Sequence, residues 1–141
     1  MKKFCYPAKF ESNGEGGFIG TFRDIPEAIT EVYPEENFVD VARDALISAI
    51  DFYIEDGRKL PEPSHKQEDE VLIDLPASVY LKVMLLNTMV ESNIRPVDLA
   101  RKMKVRPQEV TRIMNLRHNT KLDTLSNAFS ALGKKLFFEV K

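Results

Sequence analysis

The chain has 141 residues, enough for one ordinary domain or two small ones, and its 43% hydrophobic and 30% charged composition is that of a globular protein. The longest apolar stretch, residues 79–90, is broken by Lys82 and Asn87 and falls short of the roughly 20 residues a bilayer span needs. Residues 1–7 hold no apolar signal core, so the expectation is a cytoplasmic protein without membrane contact. Cys5 is the one cysteine, which excludes an internal disulfide and a cysteine-rich zinc site. His65 and His118 lie in polar segments, so Cys5 reads as a half-buried strand residue rather than a nucleophile. The net charge of −2 divides unevenly. Residues 1–64 carry 7 Lys/Arg against 13 Asp/Glu, residues 65–74 carry 1 against 4, and residues 75–141 carry 12 against 5. An acidic front and a basic back predict two modules with partners of opposite charge.

Phe4, Tyr6, Ala8 and Phe10 alternate with Lys3, Cys5, Pro7 and Lys9, the period of a strand with one buried face. Pro7 cannot donate to a ladder and predicts an edge position or a bulge. The loop Ser12-Asn13-Gly14-Glu15-Gly16-Gly17 and the extended run Phe18–Phe22 make a hairpin. Glycines there are ordinary hairpin residues. No Lys-Ser/Thr follows them, so a phosphate-binding loop is not expected. Asp24-Ile25-Pro26-Glu27 precedes a short third strand around Ile29–Val32. Phe38, Ala42, Ala45, Leu46, Ala49 and Tyr53 then follow helical spacing, with Asn37 as N-cap and Gly57 as stop. Residues 60–70 form a polar, acidic, proline-bearing linker, and Val71–Asp74 adds a fourth strand. The first module is thus expected over 1–74, ordered β-β-β-α-β.

The second module, 75–141, is expected to be all helical. Pro76 suits a first turn ahead of the stripe Val79, Val83, Leu86, Val90. Pro96 opens a helix through Met103, Pro107 another through about Leu116, and Thr120 can cap a last one running Leu122–Leu132 to a stop at Gly133. Leu136–Val140 reads as a short C-terminal strand. It has no partner within a helical module, so it is expected to pair between two chains. The fold class is therefore α+β.

Leu99, Ala100 and Met103 supply an inner face for the Pro96 helix, Val105 fills the turn, and Val110 and Ile113 anchor the Pro107 helix. Gln108, Thr111, Arg112 and Asn115 are left outward. Glutamine can pair with adenine, arginine with guanine, and a threonine methyl can meet that of thymine in the major groove of duplex DNA. Arg117, His118, Asn119, Thr120 and Lys121 follow as a polar, basic loop suited to phosphates. The competing reading is a helical bundle whose basic face is merely solvated. The pattern resembles phage-repressor-type helix-turn-helix domains from about Leu81 to Leu136. That resemblance places Pro107, Gln108, Thr111 and Arg112 at base-reading positions and Asn115 at a phosphate-contacting one, with Arg106 just ahead of the helix. Lys104 stands where glycine is usual, and Arg106 where serine or threonine is common.

Tyr6-Pro7, Gly16-Gly17-Phe18, Asp24-Ile25-Pro26, the Ala/Leu-rich helix and Pro61-Glu62-Pro63-Ser64 together resemble the hallmark of the HicB antitoxin family. Glu31 stands where many members have glycine. The resemblance implies a partial ribonuclease H-like N-terminal domain without a working active site. That domain would sequester a small basic HicA-type toxin that cleaves mRNA. A helix-turn-helix domain would then repress the protein's own operon from operator DNA, as a dimer or higher homo-oligomer. Phe18, Phe22, Asp24, Ile25 and Pro26 are the candidate toxin-facing residues, although the same pattern suits a core. No catalytic residue, metal or cofactor is expected. Asp24, Asp40 and Asp44 with Glu27 are the acids a nuclease would need, but no strand carries an inward acid among its apolar residues. The alternative function is a stand-alone ligand-responsive transcriptional repressor.

Overall fold

The computed structural model describes residues 4–141; Lys3, which the strand alternation includes, lies outside them. Four strands and five helices follow in the order β1 (Cys5–Ser12), β2 (Phe18–Phe22), β3 (Ile29–Val32), α1 (Phe38–Asp56), β4 (Val71–Asp74), α2 (Ala77–Glu91), α3 (Pro96–Met103), α4 (Pro107–Met114) and α5 (Leu122–Ala131). The chain divides into two compact units. One runs to Tyr53 and resumes at Pro61–Pro76; the other takes Ile54–Leu60 and Ala77–Lys141.

In the first unit the strands form one antiparallel sheet in the order β3-β2-β1-β4. Register explains the alternation. Ala8 stands opposite Phe22, Tyr6 opposite Ile73 and Phe18 opposite Val32, so one face collects the core residues, of which Tyr6, Ala8, Val32 and Ile73 are fully buried. Helix α1 begins where Asn37 Oδ1 accepts the Asp40 N–H at 3.0 Å and ends at Gly57, whose φ of 62° suits a residue without Cβ. Its Ala42, Leu46, Ala49, Ile50 and Tyr53 are buried. Phe38 at its head meets the Phe10 and Phe18 rings, each at 5.2 Å between centroids.

Strand β1 lies inside the sheet, between β2 and β4. Pairing with β2 starts only at Ala8, however, so Pro7 has a ladder neighbour on the β4 side alone. The glycines of the hairpin are set by space as well as by the turn. A Cβ on Gly17 would come within 2.7 Å of the Tyr33 ring and 2.8 Å of Asn13 Nδ2, and Asn13 Oδ1 already accepts the Glu15 and Gly17 N–H groups. Glu31 causes no local break. It stays in β3, exposed, and accepts from Asn13 Nδ2 and the Tyr33 hydroxyl.

The segment expected as a linker, 60–70, is instead bolted down within the first unit from Pro61 onward. Tyr6 Oη donates to the Pro61 carbonyl, and burial with nearby acids pushes its phenol well above the usual range. Both Asp24 carboxylate oxygens accept from Ser64, one from its N–H at 2.8 Å and one from its hydroxyl. Arg23 grips Glu70 through two hydrogen bonds of 2.8 and 2.9 Å and also donates to the His65 carbonyl. Glu70 further accepts the Gln67 N–H at 2.8 Å.

In the second unit α2 buries Val79, Val83, Leu85, Leu86 and Met89; α4 and α5 pack against it, and α3 packs against α4 and α5. Gly133, at φ 74°, closes α5, with the Lys134 N–H on Phe129 O at 2.9 Å. Thr120 does not cap α5: the N-cap is Lys121, and the Thr120 hydroxyl is buried without a partner. Residues 134–141 carry no regular secondary structure, so the strand expected over Leu136–Val140 is not formed within the chain.

The Arg23 hydrogen bonds hold the nearly buried Glu70 carboxyl down at about 2. A carboxylate depressed in the folded state stabilises above its unfolded value of 4.5 and ceases to do so as pH falls through 2. Thermal melts should therefore separate wild type from Glu70→Gln by a constant margin near neutrality. That margin should shrink as the pH drops below 4.5 and be almost gone at 2.

Candidate nucleic-acid and partner interfaces

The second unit presents α3 and α4 as two short helices joined by Lys104, Val105 and Arg106. Pro96 starts α3 after Arg95. The Asp98 carboxylate turns back to accept the Arg95 backbone N–H at 3.0 Å, and it also pairs with the Arg95 and Arg101 guanidinium groups. The Arg95 contact holds the Asp98 carboxyl down at about 2. Helix α3 ends with Lys104 left-handed at φ 59°, the Lys104 N–H on Arg101 O and the Val105 N–H on Ala100 O. These are the two bonds of a Schellman close. Val105 thus holds the turn with its backbone; its side chain is 37% exposed rather than filling the turn. Leu99 and Ala100 are buried beneath, and Met103 is half-buried.

Helix α4 starts at Pro107 and is fixed in rotation by Val110, Ile113 and Met114, all buried. Its other side exposes Gln108, Glu109, Thr111 and Arg112. Thr111 Oγ1 donates back to Pro107 O at 3.3 Å. Arg112 lies 3.6 Å from Glu109 with both side chains about half exposed, a contact worth little in water. Glu109 was missed in the sequence reading, although the same helical spacing places it outward. It adds an acceptor suited to a cytosine amino group.

Beyond α4 the chain turns at Asn115, whose Oδ1 accepts the Arg117 N–H at 3.0 Å. That oxygen is committed to the loop. Leu116 is buried, while Arg106, Pro107, Asn115, Arg117, His118, Asn119 and Lys121 are exposed. From beneath, Lys82 of α2, fully buried, sends its Nζ to Asn115 O and His118 O, both at 2.7 Å. Burial pushes the pKa of that ammonium down. Sequence reading treated Lys82 and Asn87 as interruptions of an apolar run. Both are fasteners, since Asn87 Oδ1 accepts the Leu60 N–H at 2.9 Å. Spacing carried the signal: Lys82 is three residues past Val79, hence on its face of the helix.

In the first unit the five candidate partner residues separate. Phe22 and Ile25 are buried, 2% and 0% exposed, which removes them from any contact surface and places them in the core. Phe18 is half-buried against Phe38, Asp24 is engaged by Ser64, and Pro26 is exposed. The exposed apolar side chains lie elsewhere. Ile29 on edge strand β3 and Phe52 on α1 are 64% and 53% exposed. They line an open groove of about 380 Å³ with Val41, Ala45, Glu27 and Asp44. Of the acids considered for metal binding, Asp40 pairs with Arg43 and Glu27 accepts from Tyr53 Oη. Among the described residues no three His, Cys, Asp or Glu side chains gather as a metal would require.

The HicB-like antitoxin model of bacterial toxin–antitoxin systems matches residues 5–84. Over 96% of this chain and 95% of the relative, the sequence is 47% identical to antitoxin HicB 2 of Photorhabdus laumondii. It is 42% identical to antitoxin HicB of Escherichia coli K12 over 93% and 95%. No helix among the described residues is long and apolar enough to cross a membrane. With the family model matching more than half the chain and relatives matching nearly all of it, the chain belongs to the HicB-like antitoxin family.

Proposed function

We propose that this antitoxin neutralises a small cationic, mRNA-cleaving toxin of the HicA type through its N-terminal unit and represses its own operon through its C-terminal unit. The observation that carries the second half is the orientation of α4. Val110 and Ile113 are buried while Gln108, Thr111 and Arg112 stand out together, the side-chain types that read base edges in the major groove. Arg106 and Pro107 lead into that face. Asn115, Arg117, Asn119 and Lys121 follow it as the phosphate-side loop, while Thr120, expected to join them, has its hydroxyl buried and drops out of that surface.

One such helix covers only a few base pairs, so operator recognition requires a dimer with half-sites about 34 Å apart. Residues 134–141 supply a candidate for pairing two copies. Phe137, Phe138 and Val140 are 84%, 64% and 98% exposed, a cost to a lone chain that burial between copies would recover.

Toxin capture is assigned to the first unit, where residues 1–64 carry the excess of acid over base. Phe22 and Ile25 being core, the proposed surface keeps Pro26, with Phe18 and Asp24 beside it as supports, and shifts to the Ile29–Phe52 groove. Asp44 and Glu27 rim that groove with negative charge, which attracts a cationic partner and speeds its association at low salt. This capture needs no catalysis, cofactor or metal. It works by covering the toxin.

Three outcomes follow. In fluorescence anisotropy with operator DNA, Arg112→Ala should lose about 1–3 kcal/mol of specific binding while toxin capture is unchanged; unaltered repression would mean another element reads the bases. In calorimetric titration with the toxin, Asp44→Lys should weaken binding, chiefly through slower association at low salt, and leave operator affinity intact. An equal affinity at every salt concentration would move the toxin surface elsewhere. In analytical ultracentrifugation, Phe137→Asp combined with Phe138→Asp should lighten the assembly and weaken operator binding. An unchanged mass would take the C-terminal segment out of the dimer.

A further inference from the structure

We infer that Lys82 is a positioning residue for DNA backbone binding: from inside the second unit, it holds the loop that leaves α4 in the shape that meets phosphate. This rests on the DNA-binding reading proposed above and adds to it a residue that touches no nucleic acid.

Three observations lead there. Lys82 is fully buried, on the same face of α2 as Val79, Val83 and Leu86, which is an expensive place for an ammonium group. Its Nζ donates to two backbone carbonyls, Asn115 O and His118 O, at 2.7 Å each, and its charge meets carbonyl oxygens rather than a carboxylate. The first acceptor is the C-cap residue of α4. A cation there is favoured by the negative end of the helix dipole and by the unsatisfied carbonyls of the last turn. The second acceptor lies three residues on, so one lysine spans the whole turn from the end of α4 to the middle of the loop.

The loop has local fasteners as well. Asn115 Oδ1 takes the Arg117 N–H, the His118 N–H reaches Asn115 O at 3.1 Å, and Leu116 is buried. Lys82 ties this turn to a different helix through two hydrogen bonds. A methionine in its place would keep the length and the apolar stem. It would remove the lysine donor from both carbonyls, leaving Asn115 O with the His118 N–H alone, and the loop would be free to reshape toward water. Arg117, Asn119 and Lys121, all exposed, would then no longer be held in place by that turn. The buried charge itself also adds fixed positive potential behind the phosphate-facing surface.

Phosphate contacts carry affinity without sequence, whereas base contacts carry sequence. The two kinds of residue can therefore be told apart. The test compares full-length wild type, Lys82→Met and Lys82→Arg by anisotropy with operator DNA and with a scrambled duplex of equal length, across a salt series. Amide hydrogen exchange is followed at Arg117 and His118. Lys82→Met should lose about tenfold or more on both duplexes alike, show a shallower salt slope, and exchange faster at the two amides. Toxin capture should be unchanged. Lys82→Arg, which keeps a buried donor cation, should recover part of the loss. Should Lys82→Met fail to fold, the Lys82→Arg salt slope and amide exchange carry the comparison, with intermediate values expected. Unchanged slope and affinity in a folded Lys82→Met protein would overturn the inference. Wild-type protein that binds neither duplex would strike down the DNA-binding reading beneath it, a distinguishable result.

Discussion

The rotation of α4 about its own axis is the constraint on which the functional account depends. Eight residues are too few for a stable helix in isolation; α4 exists because Val110, Ile113 and Met114 are pressed into the second unit. Each such side chain stabilises by about 1.5–3 kcal/mol when fully buried. A rotation that exposed two of them would cost more than any single surface contact could return. Burial on one side thus determines what stands on the other. The turn before it is similarly constrained. Lys104 accepts a left-handed conformation that costs a side chain about 1–2 kcal/mol, offset by the two Schellman bonds and by prolines that pre-set the first turns of both helices.

In the first unit the residues that mark the family have structural work. Tyr6, Asp24 and Ser64 close the connector onto the sheet, with the Arg23–Glu70 pair alongside, and Gly17 makes room for Tyr33. A motif can therefore identify a fold while saying little about the surface that meets a partner. That surface is better sought among side chains the fold does not need. Ile29 and Phe52 meet that description, exposed beside carboxylates on a strongly acidic module.

Much of the secondary structure was legible because its signals are local. The period-two runs gave the strands, Asn37 and Gly57 bracket α1, and Pro96, Pro107 and Gly133 punctuate the helices, all near where the chain shows them. Misreadings came where a side chain's partner is distant in sequence. The 60–70 segment looks like a linker because its composition is polar, yet its fasteners lie about 40 or more residues away, on Tyr6, Asp24 and Arg23. Phe22 and Ile25 suit a core and a contact surface alike on local pattern, and the fold buries both. Lys82 was the hardest. A lysine inside an apolar run reads as an interruption until its carbonyl acceptors, more than 30 residues on, are seen.

Charge separation completes the account, with acid concentrated in residues 1–74 and base in 75–141. Long-range attraction brings partners near; the rigid face of α4 decides what is read once they arrive. The most direct measurement is a chemical-shift titration of the isotope-labelled chain with a duplex from immediately upstream of its own gene. The account predicts perturbations concentrated in residues 106–121, strongest at Gln108, Thr111 and Arg112. Perturbations confined to the sheet or to α1, with α4 silent, would contradict it.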